Sequence, residues 1–142
     1  SMPPETNSVR MVRTLARAAE LMIEQLSGFP DTVVAFSGTG RITRDDYVSV
    51  VIPAVDAALK TNKQIRLYYE IGPKFESFEP TAAWEDFKVG MEHIAHWQRV
   101  AVVTDVEWIK HTMQIFSFLM PGDMRVFPTA DKDDARRWIA TP

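Results

Sequence analysis

Residues 99–104 read "RVAVVT". Val100 to Val103 are four apolar residues in a row, so this strand has no polar face to turn toward water. A half-buried strand alternates polar and apolar side chains. A β-branched run that is apolar on both faces belongs in the middle of a parallel sheet, covered on both sides. The next residues, "DVEWIKHTMQIFSFLM" (105–120), have helical composition. A strand leading directly into a helix is the repeating unit of such a sheet.

Working outward from this strand gives the rest of the order. Thr104 followed by Glu107 has the spacing of a capping box for helix 105–120, and Pro121-Gly122-Asp123 stops it. "MRVFP" (124–128) is a short strand, and Asp131 caps a closing helix that runs to about Ile139. Toward the N-terminus, a helix is expected over Thr81–Trp97 and a strand over "QIRLYYEI" (64–71). "TRDDYVSVVIPAVDAALKTNK" (43–63) predicts a helix with Thr43 as N-cap, Asp45 and Asp46 in its first turn and a kink at Pro53. Strands over 22–26 and 32–37, joined by the turn residues 27–31, predict an antiparallel hairpin, with "SGTG" (37–40) as a strand-end turn. The expected fold is α/β: a mixed five-stranded sheet with an N-terminal antiparallel hairpin, the remaining strands largely parallel, and about four helices.

The chain has 142 residues, 46% hydrophobic and 25% charged, which suits one soluble domain over 21–142. Residues 1–20 read as an N-terminal extension: a Ser1-Met2 scar of a cleaved tag, a polar flexible stretch, and a short basic helix from Val9. There is no cysteine, so disulfides, thiolate catalysis and Cys-bound metals are excluded. A net charge of −3 argues against nucleic acid as a partner. No apolar run reaches the roughly 18 residues of a membrane span, and a cytoplasmic location, with room for peripheral membrane contact, is the expectation.

The chemistry-bearing patterns are weak. His93 and His96 lie three apart, but His111 sits on another helix and no third ligand is placed, so no metal is expected. Gly38 and Gly40 lack the third glycine of a dinucleotide fingerprint, with Thr43 in its place, and lack a Walker ending. No Ser-His-Asp set or carboxylate pair stands out, so no catalytic residue, cofactor or reaction is assigned.

The aromatic pattern is stronger. In "IGPKFESFEPTAAWEDFKVG" (71–90), Gly72, Pro73 and Pro80 break regular structure, yet Phe75 and Phe78 lie inside the break. Trp84, Phe87, Met91 and Ile94 share one face of the following helix. Trp108, His111, Thr112, Ile115, Phe118 and Leu119 share a face of the next, with Phe116 and Met120 continuing the wall. Met91, Ile94, Ile115 and Leu119 are read as burying against the sheet. Phe75 and Phe78 either plug the sheet end or form a lid over a cleft at the carboxyl ends of the strands. The candidate ligand-binding set is Phe75, Phe78, Trp84, Phe87, Trp108, His111, Phe116 and Met120.

Taken together, "GFPDTVVAFSGTGRITRDDYVSVVIPAVDAAL", the Gly72-Pro73 and Trp84-Glu85-Asp86 marks, "VAVVTDVEW" and "MPGDMRVF" resemble the SpoIIAA-like proteins. That resemblance implies a STAS-like fold over about 21–140. It also implies a non-catalytic binding module, with a lipid-like ligand or membrane contact as one expectation. The other is a regulatory partner switch that binds another protein and is controlled by phosphorylation. The family's Asp-Ser pair is absent, leaving Ser77 and Thr81 as the hydroxyls at that place, flanked by Glu76 and Glu79. Self-association as a homodimer is a further expectation.

Overall fold

The computed structural model describes residues 21–142, the Phe87 side chain excepted; the extension read over 1–20 lies outside the described residues. Five strands form one sheet in the order β1-β2-β3-β4-β5. They are β1 (Ile23–Gln25), β2 (Val33–Ile42), β3 (Ile65–Phe78), β4 (Trp97–Thr104) and β5 (Asp123–Phe127). β1 pairs antiparallel with β2, and every later neighbour is parallel. Helix α1 spans three consecutive segments, Arg44–Asp46, Tyr47–Val51 and Ile52–Thr61. Helices α2 (Pro80–Glu92), α3 (Glu107–Ser117) and α4 (Lys132–Ala140) follow. The expected mixed sheet with a single antiparallel pair is the observed one.

Period-two alternation divides the strands between two cores. Val34, Phe36, Tyr69, Ile71, Val100 and Val102 face α1, α2 and α3. Val33, Ala35, Tyr68, Ala101 and Val103 face α4, through Ala135 and Ile139. The strand order advances one step at a time in one direction. Crossovers of one hand then place the connecting helices on one face, and the C-terminal helix covers the other. The run Val100–Val103 is buried throughout, as a strand between two helical layers requires.

Asp46 ties the N-terminal hairpin to α1. Its buried carboxylate accepts from the backbone N–H of Met22 (2.6 Å) and of Thr43 (2.7 Å), and from the Thr43 hydroxyl (3.0 Å). Thr43 is the N-cap, and its reciprocal contact with Asp46 makes a capping box there. Pro53 stands in the first turn of the segment Ile52–Thr61. The turn just before it, Tyr47–Val51, widens to a π-helix in which the Ile52 N–H reaches the Tyr47 carbonyl. This loosens the turn into which the proline ring would otherwise press.

Several boundaries differ from expectation. β3 does not end at Ile71 but runs on to Phe78, pairing Gly40 with Phe75, Arg41 with Ser77 and Ile42 with Phe78. β2 lengthens with it, so Ser37–Gly40 is strand and not a terminal turn. Register shifts beside Gly40 absorb the extra residues of β3, and Pro73 sits in that irregular stretch, where no ladder bond depends on its missing N–H. Trp97 opens β4 and does not close a helix, because α2 stops at Glu92 and a 3-10 turn, Ile94–His96, intervenes. The capping box expected at Thr104 does not form: Val106 is the N-cap of α3, the Thr104 hydroxyl accepts from the Val106 N–H at 3.1 Å, and Glu107 pairs with Lys110. Asp131 precedes α4 but makes no side-chain cap bond.

Candidate functional site

Between the sheet and helices α2 and α3 lies a cavity of about 200 Å³. Its floor is the α1–α3 face of the sheet, including Phe36, Leu67, Tyr69, Val100 and Val102. Ala83, Asp86, Val89 and Gly90 of α2 form one wall; Trp108, Ile109, Thr112, Met113 and Phe116 of α3 form the other. The small residues of α2 leave the space open. The helices close on each other at one end, where a Cβ built on Gly90 would stand 2.9 Å from the Phe116 ring. Ala83, Trp108 and Thr112 both line the cavity and are exposed, so they mark its mouth.

At the carboxyl ends of the strands stands an aromatic cluster. The Phe75 and Phe78 rings are 5.0 Å apart, and Trp108 lies 6.5 Å from the first and 5.9 Å from the second. Both phenylalanines are half-buried and packed on the main core, on the extension of β3 that pairs with β2 through the register shifts beside Gly40. Of the two readings left open, the geometry is that of a plug, with Phe78 also facing the cavity.

Phe78, Trp108 and Phe116 of the expected set therefore come together around one space. Phe75 backs it through the ring cluster. His111 is exposed and outside the lining, and Met120 is buried in the core, also outside it. Trp84 points outward and is 60% exposed. Phe87 belongs to α2, but its side chain lies outside the described residues. The helix faces are rotated from expectation. Ile115 and Leu119, read as core, are 68% and 57% exposed, and Met91 is exposed as well. Ile109, Met113 and Phe116 make the inward stripe of α3, while Val89 and Ala82 with Asp86 make that of α2. Both helices carry apolar side chains on two sides, and spacing alone does not say which stripe the sheet takes.

The acidic group in this apolar chamber is Asp86, which the sequence reading named only within the Trp84-Glu85-Asp86 mark and not as a site residue. Burial pushes its carboxyl group up to about pH 6, against the opposing effect of a hydrogen bond from the Tyr47 hydroxyl. The residue keeps some accessible surface, as expected if that surface belongs to the cavity it lines. No ion pair among the described residues involves Asp86. The Tyr47 hydroxyl lies 3.1 Å from that of Tyr69, and burial drives both phenols well above their ordinary range. Next to Asp86, Glu85 is also buried, but it is ion-paired with Arg44 (3.4 Å) and Lys88 (3.9 Å), which anchors α2 to α1.

The expected phosphorylation positions are separated by the fold. Ser77 is half-buried in β3, opposite Arg41, and does not stand at a helix start. Thr81 is exposed in the first turn of α2, where its hydroxyl donates to the Glu79 carboxylate. Among the described residues no group of three His, Asp or Glu side chains is placed to hold a metal ion, and no helix is long and apolar enough to cross a membrane.

The architecture has a counterpart in known proteins at the level of fold. No curated protein matches the chain. A solved structure from Shewanella loihica, an uncharacterised protein with a SpoIIAA-like fold, is 27% identical, with a TM-score of 0.66 over 82% of this chain and 91% of that one. The SpoIIAA-like family model matches residues 33–140, from the first residue of β2 to the last of α4. The chain belongs to the SpoIIAA-like family.

Proposed function

We propose that this protein is a non-catalytic binding module that holds a small apolar or amphipathic molecule between the sheet and helices α2 and α3. One observation carries the reading: an internal chamber of about 200 Å³, lined almost wholly by carbon, opens between two helices whose outer faces are themselves apolar. Ligand sites commonly combine an apolar lining with few polar groups. A chamber of 150 Å³ suffices for benzene, so this one takes a body of about six to nine carbon atoms.

The outer faces support access from a lipid surface. Trp84 on α2, with Trp108, Ile115, Phe118 and Leu119 on and just after α3, are all more than half exposed. A soluble domain rarely leaves so many large apolar side chains to water without a partner. Lipid extraction of protein purified under native conditions, followed by mass spectrometry, tests the reading. A stoichiometric apolar molecule, absent from an Ala83→Trp variant that fills the mouth, is the expected result. Empty protein that also fails to take up short-chain amphiphiles would refute it.

A further inference from the structure

We infer that Asp86 is the specificity-determining group of the chamber, selecting ligands whose apolar body ends in a hydrogen-bond donor, a hydroxyl or a protonated amine. The inference rests on the binding-module reading above and names the ligand class for the same site.

It follows from counting protons. The Tyr47 and Tyr69 hydroxyls lie 3.1 Å apart and share one of their two hydrogens, so at most one phenolic hydrogen is left for Asp86. A carboxylate offers about four lone-pair sites. Asp86 lines the chamber, so acceptor capacity remains on the ligand side, and no ion pair among the described residues meets it. Of the other polar lining residues, Tyr69 is bonded to Tyr47 and Thr112 stands at the exposed mouth.

A ligand carboxylate or phosphate would bring acceptor against acceptor and charge against charge in an apolar space. An ether would leave the carboxylate unmatched. An alcohol donates one hydrogen bond, and an ammonium donates one with charge complementarity as well. Selection therefore excludes anionic amphiphiles near neutral pH and favours neutral or cationic ones.

The test is a matched series of eight-carbon compounds, 1-octanol, n-octylamine, heptyl methyl ether and octanoate, titrated at pH 7.5 with amide NMR shifts as readout. The alcohol and the amine should bind at least about tenfold more tightly than the ether and octanoate, the scale of one charge-assisted hydrogen bond. Asp86→Leu should abolish that preference and let the ether bind as well as the alcohol. Asp86→Asn, isosteric and still an acceptor, should keep the alcohol and lose the advantage of the amine. Equal wild-type binding of ether and alcohol, or a preference that survives Asp86→Leu, overturns this inference and leaves the chamber as a site. Failure of all four to bind overturns the chamber reading and this inference with it.

Discussion

The hydroxyls of Tyr47 and Tyr69 lie 3.1 Å apart across the interface between α1 and β3, both in the dry interior beneath Asp86. Their roles are unequal. Tyr47 is the middle member: its hydroxyl bonds that of Tyr69 and holds down the rise of the Asp86 carboxyl. Tyr47→Phe therefore strands a carboxylate and a hydroxyl, whereas Tyr69→Phe removes only the outer hydroxyl. Leaving buried polar groups unmatched costs about 1–3 kcal/mol, and a single neutral hydrogen bond contributes about 1 kcal/mol. Urea denaturation should rank Tyr47→Phe as clearly the more destabilising of the two. Tyr47→Phe should also move the Asp86 carboxyl above pH 6, since the bond that now lowers it is lost. Equal losses for the two variants would contradict the chain.

Asp86 also makes stability depend on pH. Its folded value of about 6 lies above the unfolded value of about 3.9. The protonated form is thus the one the fold prefers. The associated stability is fully present below about pH 4 and is lost as pH rises through 6, by at most about 3 kcal/mol. Asp86→Asn never ionises. Thermal melts from pH 4 to 8 should show the variant more stable than the parent at pH 8, with the gap closing toward pH 4. Comparing the two chains cancels the contributions common to both. A gap that does not change with pH would show that Asp86 is not held in the shifted state.

Much of the fold was legible because local patterns and topology agreed. Val100–Val103 could only be a doubly covered strand, and the alternation of strand-like and helix-like runs left few ways to arrange the rest. What stayed hidden depended on partners distant in sequence. Gly72 and Pro73 look like an end to β3, and only the matching extension of β2, with register shifts beside Gly40, keeps Phe75 and Phe78 in a sheet. Ile115 and Ile109 have the same helical credentials, yet one is 68% exposed and the other 3%. Asp86 carries no local sign of its surroundings, because Tyr47, which acts on it, lies 39 positions away on another helix.

The turn into β5 has a glycine for steric reasons. A Cβ at Gly122 would lie 2.4 Å from the Gln98 carbonyl oxygen and 2.5 Å from that of Trp97, both rigid backbone at the start of β4. Relief would require displacing β5 against β4. Gly122→Ala should cost about 1–3 kcal/mol, as overpacking of a fixed site does. Gly28 offers the contrast: it has φ 88° but nothing within 4 Å, so an alanine there meets conformational strain and no clash. Chemical denaturation of both variants separates the two causes, and a neutral Gly122→Ala would show that β5 can move.

The exposed rim and the ring cluster should separate in experiment. Phe118 is 89% exposed, just past the end of α3, so Phe118→Ser should change stability by no more than about 0.5 kcal/mol. Phe78 is half-buried between Phe75 and Trp108, and Phe78→Ala should cost about 2–3 kcal/mol, less than a fully buried phenylalanine. If the apolar outer face meets lipid, Phe118→Ser and Trp84→Ser should reduce co-sedimentation with neutral phosphatidylcholine vesicles while the melting temperature stays put. The net charge of −3 makes neutral vesicles the suitable probe, since an anionic surface would add repulsion of its own. Loss of binding that only follows loss of stability, as in Phe78→Ala, would assign the effect to unfolding. Undiminished binding in both serine variants would remove the outer faces of α2 and α3 from any contact with membranes and confine the function to the chamber.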